Sequence, residues 1–193
     1  MPSAITVIRD EHRALASVLK GLQYLVEDLR TGRQPPDFPL MKAMIDYIQQ
    51  FPDRLHHPKE DQYIFPVLRE RDPATGPDLD ILEAEHESGP GFINRVMAAL
   101  VEYERDAAKL PAFAQALDDY AAYQWAHMNR EEEIILPAAE KALLPGDWVE
   151  INAAFKSNND PLVGVSRQKE FRELFRRVVN LMPAPYGLGP ARN

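Results

Sequence analysis

The chain has no cysteine among its 193 residues. That excludes disulfides, iron–sulfur clusters, thiolate metal sites and thiol catalysis together. Any metal must be held by histidine and carboxylate, ligands that suit iron, manganese or zinc. The chain is also short of positive charge. Twenty-two Lys and Arg face 30 Asp and Glu, a net charge of −8, which excludes a general nucleic-acid or anionic-membrane surface. No segment approaches the roughly 20 apolar residues of a membrane span, and Met1-Pro2-Ser3-Ala4 opens into a charged amphipathic stretch without a signal-peptide core. The expectation is a cytoplasmic protein with no nucleic-acid or membrane partner. Strand signals are absent, and histidine is scarce, with five in the whole chain.

Four of those five fall in one duplicated pattern. His56-His57-Pro58-Lys59-Glu60 runs on to Ile64-Phe65-Pro66. Seventy-one residues later His127-Met128-Asn129-Arg130-Glu131 runs on to Ile135-Leu136-Pro137. Each copy reads His-x-x-x-Glu, then an apolar pair, then Pro. Each is preceded by a lone His in an acidic setting, Asp10-Glu11-His12 and Ala84-Glu85-His86.

Apolar spacing places these residues on helices. Over about 3–31, Ile5, Ile8, His12, Leu15, Leu19, Leu22, Val26 and Leu29 step by threes and fours, a buried seam at helical period. Ser3 suits its N-cap and Gly32 its C-cap. A second segment, about 38–72, carries Met41, Met44, Ile48 and Phe51. Pro52, Pro58 and Pro66 predict a bend or interruption around His56 and Glu60. A third, about 77–107, carries Leu79, Leu82, His86, Ile93, Met97 and Leu100, with a break expected at Gly89-Pro90-Gly91. The fourth, about 112–143, places Phe113, Leu117, Tyr120, Gln124, His127, Glu131, Ile134 and Ala138 on one seam. Short Pro/Gly-rich linkers make neighbours antiparallel. The predicted fold is all-α, an up-down-up-down four-helix bundle over residues 1–144. A C-terminal extension, 145–193, is predicted to hold short helices near 147–156 and 167–181 and an extended tail from 183. The second of these helices is basic and amphipathic. It is expected to pack on the bundle, with a homodimer contact through the extension as the alternative.

Residues four apart share a helical face, with Cβ atoms about 5–6 Å apart. His56 with Glu60, and His127 with Glu131, therefore each aim an imidazole and a carboxylate at one point. Two buried glutamates facing each other repel and are costly unless they are paired or bind metal. Two cations relieve this, each carboxylate bridging both. His12, His56, His86 and His127 then supply nitrogen. Six protein ligands leave coordination positions open. His57, rotated by about 100° from His56 on an ideal helix, is expected at the surface or behind the ligands, unless Pro58 turns it inward. Asp61, Glu132 and Glu133 read as a solvated acidic face. Gln124 reads equally as a polar seam residue or a group behind the ligands. Tyr120, Tyr123 and Trp125 read as core. Leu15, Leu82 and Ile134 are expected to keep the site dry.

These residues resemble the hemerythrin-like family of HHE cation-binding domains, over about residues 5–142. The resemblance implies a non-haem centre of two Fe ions, with Glu60 and Glu131 bridging and His12, His56, His86 and His127 as terminal metal ligands. It implies O2 or NO as the small ligand, and a protein that binds or senses these gases or iron and redox status. The alternative is a di-iron enzyme of nitrosative or oxidative stress, consuming NO or peroxide or donating iron for cluster repair. A metal-bound but purely structural bundle is a third reading. The family's oxygen carriers place a second His one turn after the helix-three His. Here Pro90 stands there, which leaves one metal short of a ligand or gives the place to His57, and disfavours reversible oxygen carriage.

Overall fold

A computed structural model describes residues 3–156 together with Leu174, Arg176, Arg177 and Asn180. The predicted helix at 167–181, apart from those four residues, and the tail from 183 lie outside the described residues. Among the described residues every regular element is helical.

Helix α1 spans Ala4–Thr31. Ser3 caps it by accepting from the Thr6 N–H at 3.3 Å. Gly32 ends it at φ 67°, a left-handed conformation that costs glycine little. The Gly32 N–H bonds to the Leu29 carbonyl and the Arg33 N–H to that of Asp28, the paired closure that satisfies the last carbonyls. Helix α2 spans Phe38–Gln50, capped by Asp37. Its direction continues through a π-helical turn (Pro52–His56), α3 (His57–Lys59), a second π turn (Glu60–Ile64) and α4 (Phe65–Arg71). The α-helical pattern is therefore interrupted around His56 and Glu60, as the prolines predict, by π turns rather than by a loop. These wide turns absorb the prolines, and Pro66 sits in the first turn of α4, where a missing N–H is tolerated.

Helix α5 spans Gly76–Arg105 and runs unbroken through Pro90. The break expected at Gly89-Pro90-Gly91 does not occur. Pro90 is exposed, so its ring points away from the packed face. Helix α6 (Leu110–Arg130) passes through a third π turn (Glu131–Ile135) into α7 (Leu136–Ala142). Helix α8 spans Asp147–Lys156, as the sequence spacing predicted.

The long helices close a ring of neighbours: α1 on α2, α2 on α5, α5 on α6, and α6 on α1. Cross-links fix them antiparallel. Lys42 near the start of α2 meets Glu104 near the end of α5. Arg30 at the end of α1 meets Asp118 early in α6, while Arg9 at the start of α1 meets Glu132. The bundle is thus the predicted up-down-up-down form. Helix α8 packs on α1 and on the Glu60–Ile64 turn, burying Ile151 and Phe155, and Asn152 accepts from the Ala4 N–H at 2.7 Å.

The core falls into two apolar clusters. One holds Leu15, Leu19, Met44, Ile48, Ile93, Leu100, Leu117 and Tyr120. The other holds Ile8, Ile64, Phe65, Leu68, Leu82, Ile135, Leu136 and Phe155. Along the chain the chemistry-bearing residues fall between them: His12 between Ile8 and Leu15, Glu60 between Ile48 and Ile64, Glu131 between Tyr120 and Ile135. A buried polar layer divides the bundle.

Candidate metal centre

Both repeated glutamates open a π turn. The Phe65 N–H bonds to the Glu60 carbonyl, and the Leu136 N–H to that of Glu131. The spacing explains why. In each copy the buried residues step by fours: His56, Glu60, Ile64, Leu68, and His127, Glu131, Ile135, Ala139. An α-helix advances about 100° per residue, so each step of four drifts about 40° off the seam. A wider turn cancels the drift and keeps ligand and apolar positions on one face. The expected seam of Ile134 and Ala138 is therefore corrected by one residue. Ile134 is 41% exposed, and Ile135, Leu136 and Ala139 are buried instead.

The structure brings His12, His56, Glu60, His86, His127 and Glu131 into this layer, all buried. His57 joins them. The π turn at Pro52–His56 closes with the His57 N–H on the Pro52 carbonyl, and it leaves both adjacent histidines facing inward. The expected surface placement of His57 is corrected accordingly.

Two groups result. Ligand atoms of His12, His56, Glu60 and Glu131 lie within 4.8 Å of one another, as do those of His57, His86 and His127. Glu131 faces both. Its Oε2 is 3.1 Å from His12 Nε2, and its Oε1 is 3.3 Å from His127 Nε2 and 3.7 Å from His86 Nε2. Glu60 Oε2 lies 3.3 Å from His56 Nε2 and 3.7 Å from His86 Nε2. His12 Nε2 and His56 Nε2 are 3.2 Å apart. His86 is held flat, stacked on His57 at 4.3 Å and on Phe65 at 5.6 Å.

Behind each imidazole stands a carboxylate. Nδ1 of His12 meets Glu132 at 2.9 Å, Nδ1 of His56 meets Glu11 at 2.7 Å, Nδ1 of His86 meets Asp61 at 2.7 Å, and Nδ1 of His127 meets Glu85 at 2.9 Å. With Nδ1 donating to its carboxylate, each Nε2 is left to face the centre of the layer. Such partners fix ring orientation and raise the basicity of a metal-binding histidine. Sequence reasoning assigned Asp61 and Glu132 to a solvated face, and the structure corrects this. Their signal was spacing: each directly follows a repeated glutamate. Asp53 was also missed. It lies 3.6 Å from His57 Nδ1, and burial, which outweighs the pull of His86 and His127, raises its carboxyl to about 6.

The same geometry moves proton affinities apart. Burial lowers His86, but its hydrogen bond to Asp61 and the nearby carboxylates of Glu131 and Glu60 outweigh it and raise the ring to about 9. Burial likewise opposes His127, which Glu131 and Glu85 raise to about 10. His57 goes the other way, well below its ordinary value, through burial and the neighbouring His86 and His127. Burial and the charge of Glu131 push Glu60 up. Glu131 is desolvated by burial, yet His127 and His12 hold it well below the usual carboxylate range.

Among the described residues several inward atoms have no aligned hydrogen-bond partner: both oxygens of Glu131, Glu60 Oε2, His86 Nε2 and His127 Nε2. Buried polar atoms in that condition are costly. A cation facing them removes the cost, so this donor set of imidazole and carboxylate fits a first-row metal.

This is the class of site in which cations are held by His and Glu inside a four-helix bundle. The chain belongs to the hemerythrin HHE cation binding domain family, whose model matches residues 3–139. It is similar, at 24% identity over 148 residues, to the uncharacterized protein Rv1995 of Mycobacterium tuberculosis and the uncharacterized protein Mb2018 of Mycobacterium bovis. The alignment covers 76% of this chain and 57% of each relative. Among the described residues no helix is long and apolar enough to cross a membrane.

Proposed function

We propose that this chain is a non-haem di-iron protein that binds or senses a small gas, O2 or NO, or reports iron and redox status. The observation that carries the reading is Glu131, whose two oxygens face two separate groups of histidine nitrogens. Glu131 would hold both ions, and Glu60, whose Oε2 lies near both His56 and His86, would help to hold them. His12 and His56 would hold one ion, and His57, His86 and His127 the other. Two iron ions held there would supply one-electron redox change and positions for small ligands.

The chain's own residues do the rest. Glu132, Glu11, Asp61 and Glu85 keep the Nδ1 protons, so the Nε2 atoms serve as donors to metal. Ile64, Phe65 and Leu82 below, and Leu15 and Ile48 above, keep bulk water out. A neutral diatomic crosses such walls more readily than an ion does.

Elemental analysis of protein made in iron-replete cells tests the stoichiometry, with two irons per chain expected. Anaerobic reduction and rapid mixing with O2 or NO, followed by absorbance, tests the ligand. The expected result is a prompt spectral change with either gas. Glu131→Ala should lose both metals and His12→Ala chiefly one. Reduced two-iron protein that answers neither gas would sink the sensing reading, and turnover of NO or peroxide would replace it by the enzymatic one.

A further inference from the structure

Gln124 lies one helical turn before His127 on the buried face of α6, with 2% of its surface exposed. Its amide is half used. The Tyr120 hydroxyl donates to Oε1 at 3.2 Å, while Nε2 is buried and has no hydrogen-bond partner among the described residues. Tyr120 is itself buried, and burial together with Asp53 raises its phenol well above the ordinary value. The hydroxyl therefore keeps the proton it donates to Oε1, which leaves Nε2 as the free end of the amide.

Gln124 lines a cavity. A space of about 10 Å³, close to that of one water-sized sphere, opens beside the candidate centre. Leu15, Phe51, Pro52 and Leu55 line its apolar side, and Glu11, His12, His56, His57 and Gln124 line the rest. An unpaired buried N–H next to a small apolar cavity is unfavourable until something with a lone pair occupies it.

We infer that Gln124 is a ligand-positioning residue: its Nε2–H donates to a small lone-pair-bearing ligand that occupies the cavity beside His12 and His56. This rests on the proposed metal centre and adds to it a selectivity. A ligand with an acceptor atom beyond the one bound to metal gains a hydrogen bond here. One without such an atom gains nothing. Tyr120 acts through Gln124, holding the amide with its N–H toward the cavity.

Azide is a suitable probe, because it is a small anion with a free terminal acceptor. The full-length protein is loaded with iron anaerobically, oxidised and titrated with sodium azide by absorbance. Infrared spectra of bound azide are then recorded in H2O and D2O. Gln124→Met keeps length and removes the donor. It should retain two metals per chain and weaken azide by about 10- to 100-fold, the size of one hydrogen bond to a charged group. The solvent-isotope shift of the azide band should be present in the wild type and lost in the variant. Gln124→Glu, of the same shape but with a carboxylate turned to the anion, should weaken azide at least as far. Affinity within twofold of wild type and an unchanged infrared band in both variants would overturn the inference. So would tighter azide binding in Gln124→Met, which would mean that the amide oxygen faces the cavity, or loss of metal in both variants, which would make the role structural. Two-iron wild-type protein that gives no azide signal overturns the open-position reading, and this inference with it.

Discussion

His57 and His86 stack with ring centroids 4.3 Å apart and planes 12° from parallel. The residue that helical geometry placed at the margin is thus in face contact with a predicted ligand, and its nitrogen shares a group with His86 and His127. His57 is also the histidine of this layer held well below its ordinary pKa. It enters neutral, ready to donate a lone pair. His57→Ala should therefore lose metal from the His86/His127 group, leaving close to one ion per chain. Metal analysis of the purified variant checks this, and full occupancy would return His57 to a packing role.

The π turn at Glu131 makes a second prediction, about stability. Ile135 is 1% exposed and Ile134 is 41% exposed. A helix without the turn would bury Ile134. Ile135→Ala should cost roughly 2–4 kcal/mol, as other large-to-small core changes do, while Ile134→Ala should fall within about 0.5 kcal/mol of wild type. Chemical denaturation of the two variants at matched metal content separates the registers. Equal losses would argue against the wide turn.

These two cases show what was legible in the chain. The bundle, its helix order, the caps at Ser3 and Gly32 and the convergence of six His and Glu side chains in one layer were legible in residue type and spacing. Apolar period and short linkers are local properties, and the repeat is unambiguous. The register beyond Glu60 and Glu131 was not read, because a seam extrapolated at 3.6 residues per turn carries no allowance for a five-residue turn. The runs of fours, His56 to Leu68 and His127 to Ala139, held that information. The carboxylates behind the histidines were missed for another reason. Asp61 pairs with His86 across 25 positions and Glu132 with His12 across 120. Their one local sign, a carboxylate directly after each repeated glutamate, does not name the distant histidine each one meets. Pro90 misled in the opposite direction. It suggested a break in α5, yet it lies exposed, and Gly89 beside it admits the Tyr123 hydroxyl, which would sit 3.1 Å from an added Cβ.

Proton affinities give a pH prediction for the metal-free protein. His86 at about 9 and His127 at about 10 lie above the ordinary histidine value near 6.5. A group raised on folding stabilises the fold fully below its unfolded value. That stability fades as pH rises through the folded value. Metal-free protein should therefore lose thermal stability steadily from about pH 6.5 to about pH 10. Metal-loaded protein, whose ligands have already given up their protons, should change less over this window. Melting curves with and without chelator across that range test it. A flat profile for the metal-free form would mean that these imidazoles do not hold protons in the folded state.

The carboxylates behind the ligands make the last prediction. Asp61, Glu132 and Glu133 looked alike in the sequence, and the structure divides them. Asp61 accepts from His86 Nδ1 at 2.7 Å, whereas Glu133 is exposed and followed by the exposed Ile134. If the Asp61 carboxylate sets the orientation and basicity of His86, Asp61→Ala should weaken ferrous iron binding by about 10- to 100-fold, the usual cost of removing such a partner. Glu133→Ala, which removes an exposed carboxylate two residues after Glu131, should leave it unchanged. Each variant removes one carboxylate, which makes the comparison informative. A general electrostatic contribution would weaken the two variants alike, while an orienting hydrogen bond weakens only Asp61→Ala. Anaerobic competition with a chromophoric chelator measures both affinities. The charge-conserving Asp61→Glu should recover part of the loss if its longer side chain still reaches Nδ1. Equal affinities for Asp61→Ala and Glu133→Ala would show that Asp61 acts only through its charge.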